Sequence, residues 1–455
     1  MIFQKITMNR KNISMKLFVL LLAFPLALQA QETGGGWTLD DCISYALANN
    51  IQLKRSHLTR LSTQEDILQS KAALLPSMSA STNQSVTYRP FVESGQSTVA
   101  NGYVQSSIDK VYYNGSYGVT ANWTVWDGMR NKNTIKLNEM SARMAELDSA
   151  ATAQSIQEQI TQLYVQILYS KESITVNEQS LRASKMNEER GQTMVQVGTM
   201  SKADLAQLTA QRAMDEYDIV AAESDVRNYL FQLKQVLELS DGTPFDIASP
   251  DMTDEEALQT IPALSDVYAS ALAHRPEIES ARLAISSSDI SLDIARAGRK
   301  PTIGLQGSVG TTTTSMSDNA WGTQLKTNLD FGVGATLSIP IFDNRQTKTA
   351  INKAMLQRES SLLDLQDKEK QLYSTIEGYW IGAVNNQARF KAARTALQSE
   401  QTSYELLSEQ FRLGLKNIIE LMTGKTNLVT AQINELQSKY MAILNIYMLR
   451  YYQGR

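Results

Sequence analysis

Cysteine, histidine and proline are scarce in this chain of 455 residues. The single cysteine, Cys42, excludes a disulfide bond within the chain. The two histidines, His57 and His274, form no metal-ligand pattern with it, and the sequence has no Ser-His-Asp arrangement or phosphate-binding glycine loop. We therefore expect no catalytic residues, no enzyme activity, no metal site and no cofactor.

Long apolar runs are also lacking, apart from one near the N-terminus. Basic residues up to Lys16 precede the apolar run 17–24, and Ala30 offers a small side chain for cleavage. The run is too short to cross a bilayer comfortably, so residues 1–30 are predicted to be a signal peptide for export. The formal net charge of −4 gives no support to nucleic-acid binding.

The most informative feature that the chain does have is an internal duplication. With the numbering shifted by 225, Pro76 falls on Pro301, and with a shift of 216, Gly198 falls on Gly414. Each copy combines helical and alternating stretches, which indicates one pseudo-symmetric body. The predicted order begins with a signal peptide (1–30). The first repeat (31–239) has a helix, a β-hairpin at about 77–126 and a long helix pair at about 128–239, and a linker or equatorial segment (240–262) follows it. The second repeat (263–455) has a helix, a β-hairpin at about 302–342 and a long helix pair at about 344–450.

Alternating sequences predict four β-strands, two in each copy. Residues 329–341 alternate apolar side chains with glycine, threonine and serine, and residues 117–125 repeat this pattern. Such strands suit either a half-buried soluble sheet or an outer-membrane barrel with a wet lumen. The export signal favours the barrel, and so does the lack of a second sheet on which these strands could pack.

The longest predicted elements follow the hairpins. The intervals from Asp127 to Gly198 and from Asp343 to Gly414 contain no proline and carry a seven-residue apolar repeat, which is typical of supercoiled helices. At about 1.5 Å per residue, each helix could be roughly 100 Å long.

The number of strands determines the predicted assembly. Four strands cannot close a barrel, and open edges are costly in lipid, so several chains must share one wall. Two chains would give a filled barrel of eight strands, whereas three give twelve strands around a water-filled lumen. The predicted fold is an α+β membrane protein of duplicated helix–β-hairpin–long-helix units. As a trimer it would form a 12-stranded β-barrel continued by a long α-helical coiled-coil barrel.

The ordered set of motifs, occurring twice, resembles the TolC-type outer-membrane efflux and secretion channels over residues 37–455. The motifs are the strand exits 126–128 and 342–344 and the turns 196–205 and 411–414. The resemblance implies a passive homotrimeric exit duct in the outer membrane of a Gram-negative bacterium, with a large periplasmic extension. The implied partners are outer-membrane lipid, a periplasmic adaptor and an inner-membrane transporter of the RND or ABC type.

The resemblance also implies roles for residues at the far ends of the long helices. Adaptor docking would use both turns, with residues Val197, Gly198, Thr199, Leu413, Gly414 and Leu415. The candidate pore gate comprises Asp204, Phe411, Lys416 and Glu420. One acidic position of the family is Thr423 here, and Phe411 has no hydroxyl to bond to Asp204. The chain thus departs from the family's gate bonding, and a Lys416–Asp204 pair could substitute for it. Alternatively, Lys416 and Glu420 are solvated charges at a helix start.

Three aromatic residues of the first hairpin are candidates for the membrane interface. They are Tyr117, Trp123 and Trp126. Aromatic rings of this kind gather at the headgroup level of membranes, although packing within a sheet is the alternative. For the chain as a whole, the alternative is a periplasmic or surface coiled-coil scaffold without a pore. The sequence does not identify a cargo.

Overall fold

The computed structural model describes residues 36–91, 98–100, 103–105, 110–240, 242, 244–250 and 252–454. The predicted signal peptide, 1–30, lies outside the described residues. Along the first copy the elements are α1 (Leu39–Asn49), α2 (Ile51–Ala72), β1 (Ser77–Tyr88), β2 (Thr98–Ala100), β3 (Tyr103–Gln105), β4 (Val111–Trp126), α3 (Arg130–Gln196) and α4 (Lys202–Leu237). Then follow α5 (Asp254–Ala257), α6 (Leu264–His274), α7 (Pro276–Ala297), β5 (Thr302–Thr314), α8 (Trp321–Thr327), β6 (Asp330–Ser338), α9 (Gln346–Arg412) and α10 (Ile418–Tyr452).

Strand pairing confirms the duplication at the level of single residues. The four long strands form one antiparallel sheet in the order β1-β4-β5-β6. In the first hairpin Ser77 pairs with Asn122, and in the second Thr302 pairs with Ser338. These four residues are related by the same two offsets, 225 and 216, that relate the sequences. The two copies therefore fold with the same register.

The sheet has one apolar and one hydroxyl-rich face. Because directly paired residues point to the same side, Val119, Val309 and Phe331 share one face. The next residues along the strands, Thr120 and Ser308, are paired and point to the other face. On that face the hydroxyl groups of Thr120 and Ser79 lie 3.0 Å apart. This separation of side chains is what a wall between lipid and water requires.

The opening helix of each copy is broken, although the sequence predicts a continuous helix up to the proline. The side chain of Asn50 accepts hydrogen bonds from the backbone N–H groups of Gln52 and Leu53, which starts α2 as a new helix. In the second copy the break falls at Arg275, because the following Pro276 is well placed only in the first turn of a helix.

The two 67-residue helices, α3 and α9, run the length of the helical part, roughly 100 Å at about 1.5 Å per residue. Each packs at one end on an opening helix and at the other on its return helix, α4 or α10. The predicted heptad positions Ile376, Ala383 and Phe390 are fully buried, as are Ile160 and Ile167 in the first copy. The seven-residue repeat therefore marks the helix–helix seams. No helix among the described residues is both long and apolar enough to cross a bilayer.

The segment between the copies packs around the middle of the helices. Ile247 forms a parallel bridge with Trp37. The Tyr164 hydroxyl of α3 donates a hydrogen bond to the carbonyl of Ala248 at 2.8 Å, and Lys171 forms an ion pair with Asp246 at 2.5 Å. These contacts tie both ends of the first copy to one level of α3.

Candidate functional site: the sheet and the helical tips

The turn between α3 and α4 is a Schellman motif. The N–H of Thr199 donates to the carbonyl of Met194 at 2.9 Å, and that of Gly198 donates to Val195 at 3.1 Å. Gly198 has a φ of +78°, a left-handed conformation that costs any residue with a Cβ atom. Glycine thus reverses the chain without an extra loop.

The turn between α9 and α10 has the same design. The N–H of Leu415 donates to Gln410 at 2.9 Å and that of Gly414 donates to Phe411 at 3.0 Å. Gly414 has a φ of +75° and, like Gly198, has open space where a Cβ atom would lie. The two glycines therefore form equivalent turns at one end of the helical part.

Each return helix begins with a side-chain cap and an acid three residues later. Ser201 accepts from the N–H of Asp204 at 3.0 Å, and Asn417 accepts from the N–H of Glu420 at 3.0 Å. Asp204 and Glu420 are thus equivalent residues of the two copies, and their negative charges suit the positive end of the helix dipole.

Large apolar side chains are exposed around both turns. Val197 is 69% exposed, Leu413 60% and Leu415 71%, and Ile419 in the first turn of α10 is 62% exposed. Thr199 is also exposed. Exposed apolar side chains gathered at one end of an elongated protein are typical of an interaction surface.

The four candidate gate residues are brought together only in part. Lys416 forms an ion pair with Glu420, while the Asp204 carboxylate accepts a hydrogen bond from the Ser201 hydroxyl at 2.8 Å. Lys416 and Asp204 therefore have separate partners in the single chain, and their pairing between copies stays a prediction. Glu420 lies one helical turn from Lys416, so the local pair forms first.

Phe411 is buried between the two helix pairs and does not line an opening in the single chain. It packs with Leu208 of α4 and with Ile418 and Leu421 of α10, and it is only 4% exposed. Its ring thus fastens the first helix pair to the second near the turns.

A buried charge network lies next to this cluster, farther from the turns along α4 and α10. It was not predicted from the sequence. Lys425 of α10 forms an ion pair with Asp215 of α4, and each side chain is only 5% exposed. The Ser184 hydroxyl of α3 donates to the Asp215 carboxylate at 2.5 Å, and Gln211 donates to its other oxygen at 3.0 Å. Burial lowers the pKa of Lys425, against the opposing effect of Asp215.

A sequence signal for this network exists. Asp215 lies between the buried Leu208 and Ala222 at seven-residue spacing, and Lys425 follows Leu421 on the apolar stripe of α10. Opposite charges at core positions of two helices indicate a buried pair between them.

The three candidate interface aromatics lie on or beside the apolar face. Trp123 is 41% exposed and its indole N–H donates to the carbonyl of Leu74 at 2.9 Å. Trp126 is 40% exposed, and Tyr117 packs edge-on against Trp321 at a centroid distance of 6.2 Å.

The family of the chain can be assigned from its sequence. The sequence profile of the family described as outer membrane efflux protein matches residues 42–238 and 267–450. The chain belongs to this family. The efflux protein BepC of Brucella suis is 22% identical over 420 residues, covering 92% of this chain and 85% of BepC. The alkaline protease secretion protein AprF of Pseudomonas aeruginosa is 23% identical over 307 residues, covering 66% of this chain and 62% of AprF.

Solved structures of low sequence identity share the fold. The outer membrane channel CmeC of Campylobacter jejuni matches with a TM-score of 0.76 and 18% identity, covering 91% of this chain and 85% of CmeC. The outer membrane protein VceC of Vibrio cholerae matches with a TM-score of 0.75 and 15% identity, covering 91% of this chain and 96% of VceC.

Family membership establishes the general role of this chain. It is an outer-membrane efflux or secretion channel with a helical extension in the periplasm, and it is not an enzyme. It acts as one component of an efflux or secretion system. A scaffold without a pore does not fit this family.

Proposed function

We propose that three copies of this chain form a passive exit duct, which receives its cargo from an adaptor and an inner-membrane transporter. The observation that carries the proposal is the open four-stranded sheet, in which the outer edges of β1 and β6 have no strand partner among the described residues. In lipid, each unpaired backbone group costs several kcal/mol, so these edges require partners from other copies.

The internal duplication predicts the register with which the copies pair. Within one chain, Thr120 of β4 pairs with Ser308 of β5. The repeat equivalents of these residues are Thr336 of β6 and Asn83 of β1, so we expect Thr336 to pair with Asn83 of the next copy. This register keeps the hydroxyl face continuous around the barrel, as a water-filled lumen requires.

The helical turns are the proposed docking surface for the adaptor. The exposed Val197, Leu413 and Leu415 provide an apolar surface of the kind that protein partners cover. Gly198 and Gly414 fix the shape of this surface, to which the exposed Thr199 also belongs. The docked transporter is of the RND or ABC type. Among relatives, one is named a secretion protein for a protease and another a toluene efflux pump component.

The same turns are the proposed gate. Three copies would bring three Glu420 side chains around one axis, where they attract cations and repel anions. Lys416 forms a partly exposed ion pair with Glu420 within the single chain, and Asp204 supplies the second acid of each copy. Phe411 does not line the proposed gate; it supports the gate by packing between the two helix pairs.

Ion conduction in planar bilayers tests both the duct and the gate. We expect the wild-type protein to form cation-preferring channels and Glu420→Gln to lose much of that preference. Glu405→Gln is the matched control, because Glu405 is an exposed acid of α9 about two turns from the tip. Absence of conductance would contradict the duct, and unchanged selectivity in Glu420→Gln would remove Glu420 from the gate.

A further inference from the structure

A cavity with basic walls lies where the second hairpin passes into its long helix. Its volume is about 340 Å³. Arg299 contributes from the end of α7, and Arg345 and Lys348 contribute from the start of α9. Ile341 and Phe342 form an apolar side. The cavity thus combines positive charge with an apolar wall.

The cations of this cavity have no counter-ion within the described part of the chain. Arg299, Arg345 and Lys348 are exposed, and none of them forms an ion pair there. The only acid in the lining is Asp343, whose carboxylate accepts a hydrogen bond from the N–H of Thr347 at 2.8 Å. The cavity therefore has a net positive charge and suits an anionic ligand.

The first copy provides an internal comparison, because it has the same turn with different side chains around it. There Asp127 accepts from the N–H of Asn131 at 2.8 Å, as Asp343 does from Thr347. The residue equivalent to Ile339 is Trp123, which reaches the carbonyl of Leu74 at 2.9 Å. An indole thus stands in the first copy where the second copy has the smaller Ile339, next to the cavity residue Pro340.

Two of the three cations are also specific to the second copy. Arg299 replaces Leu74, and Arg345 replaces Met129, at equivalent positions. Arg345 adopts a φ of +67° and Met129 a φ of +80°, so the backbone is alike and only the side chains differ. The second copy has therefore gained charge at the place where it has lost aromatic bulk.

The position of the cavity relative to the sheet indicates which anion it binds. Ile339 and Ile341 continue the alternation of the apolar face beyond the end of β6, and Ile341 is 96% exposed. Because α9 extends from this end of the strands into the periplasm, the cavity opens at the periplasmic boundary of the bilayer. Phosphate groups and acyl chains of membrane lipids meet at this level.

We propose that this cavity binds the phosphodiester headgroup of an anionic phospholipid from the periplasmic leaflet. Arg299 and Arg345 hold the phosphate oxygens in charge-assisted hydrogen bonds, and Lys348 adds a third positive charge. An acyl chain lies against Ile341 and Phe342. A free phosphate ion would use the cations alone and would leave this apolar wall exposed.

Native mass spectrometry of the detergent-solubilised full-length protein, titrated with phosphatidylglycerol or phosphatidylcholine, tests the site. We expect phosphatidylglycerol to be retained preferentially by the wild type. Each cation near an anionic lipid is worth about a fivefold change in affinity. The variant R299Q/R345Q/K348Q should therefore bind phosphatidylglycerol about 100-fold more weakly than the wild type does. The matched control K368Q/R389Q/K391Q removes three exposed cations elsewhere on α9 and should bind as the wild type does.

A second variant tests the cavity without changing its charge. Ile339→Trp introduces the side chain that occupies this position in the first copy, and it should abolish the preference for phosphatidylglycerol. Equal retention of the two lipids by the wild type, or unchanged binding in either variant, would overturn the proposal. Displacement of the lipid by millimolar inorganic phosphate would overturn the choice of a lipid over a free phosphate.

Discussion

At the scale of single residues, the charges buried between the helix pairs are the least expected feature of this channel. Lys425 and Asp215 lie on different helix pairs, so their contact joins the two copies of the duplicated unit near the tips. A buried ion pair adds little net stability, but the loss of one partner leaves an uncompensated charge. We therefore expect this pair to set how firmly the helix pairs adhere.

Removing one partner of this network should destabilise the protein more than removing both. Lys425→Met should cost about 3–5 kcal/mol, because the Asp215 carboxylate stays buried without its cation. The double variant Asp215→Asn/Lys425→Met keeps the shapes and should recover most of this loss. Thermal unfolding of the detergent-solubilised protein, followed by circular dichroism, measures both. Arg182→Met, which breaks an exposed pair with Glu178, is the control and should leave the midpoint unchanged. Wild-type stability in Lys425→Met would contradict the buried pair.

Cys42 should be almost unreactive in the folded protein. It is fully buried, and burial raises the pKa of its thiol from 9.0 to about 12. At pH 8 the reactive thiolate is then about a thousandfold rarer than in the unfolded chain. The raised pKa also makes the free energy of unfolding depend on pH. The stability gained by burying the neutral thiol is fully present below about pH 9 and is lost as the pH rises toward 12.

Labelling with a chromogenic thiol reagent at pH 8 checks the Cys42 prediction. The reaction should begin only as urea unfolds the protein. An exposed cysteine placed on α9 by Thr402→Cys, in a Cys42→Ser background, should react at once. Rapid labelling of native Cys42 would show that α1 is not packed as described.

At the scale of the elements, the structure depends on how each helix begins and ends. The Schellman turns at Gly198 and Gly414 and the caps at Ser201 and Asn417 set the ends of the long helices. They determine where the long helices end, and thus the shape of the proposed docking surface.

A side chain at the second turn should impair export without preventing assembly. Gly414→Val forces a β-branched residue to a φ of +75°, at a cost of about 1–2 kcal/mol, and it adds bulk to the exposed tip. Export by cells should fall strongly, while the oligomer seen on native gels stays intact. Gly378→Val is the control, because Gly378 lies within α9 with open space around it. Normal export by Gly414→Val would show that this turn does not dock.

Some elements could be predicted from the sequence and others could not, for physical reasons. The absence of proline and the heptads around Ile376 and Phe390 were sufficient to predict the long helices. The break at Asn50 was missed, because asparagine is tolerated inside helices as well as at their starts. Helix α8, which lies between β5 and β6, was not predicted either; the side chain of Gln324 holds it through hydrogen bonds to Thr314. Such contacts depend on the tertiary structure.

The candidate site was predictable where a backbone conformation demands one residue type, and less so where partners compete. Gly198 and Gly414 are needed at left-handed positions, and the sequence alone indicated both turns. Within one chain Lys416 pairs with Glu420, which lies nearer on the same helix than Asp204, so a Lys416–Asp204 pair between copies stays a prediction. Burial of Lys425 beside Asp215 was visible only as an interruption of two apolar stripes.

At the scale of the whole molecule, one chain is an incomplete wall. Its sheet separates an apolar from a hydroxyl face but leaves β1 and β6 at its open edges. The two hairpins have equal registers. This implies that β6 pairs with β1 of the next copy in the same way as β4 pairs with β5 within one chain. Closure of the barrel by further copies then follows from the repeated register, and three is the number that we propose.

The most direct test of this closure is a disulfide between copies. In a Cys42→Ser background, Asn83→Cys and Thr336→Cys lie on opposite edges of one chain, so an oxidative cross-link between them can form only between chains. We predict a covalent species of three chains on a denaturing gel. Ser79→Cys with Thr336→Cys, displaced by four residues, should give none. Oxidation that leaves the Asn83/Thr336 variant monomeric would contradict the shared barrel.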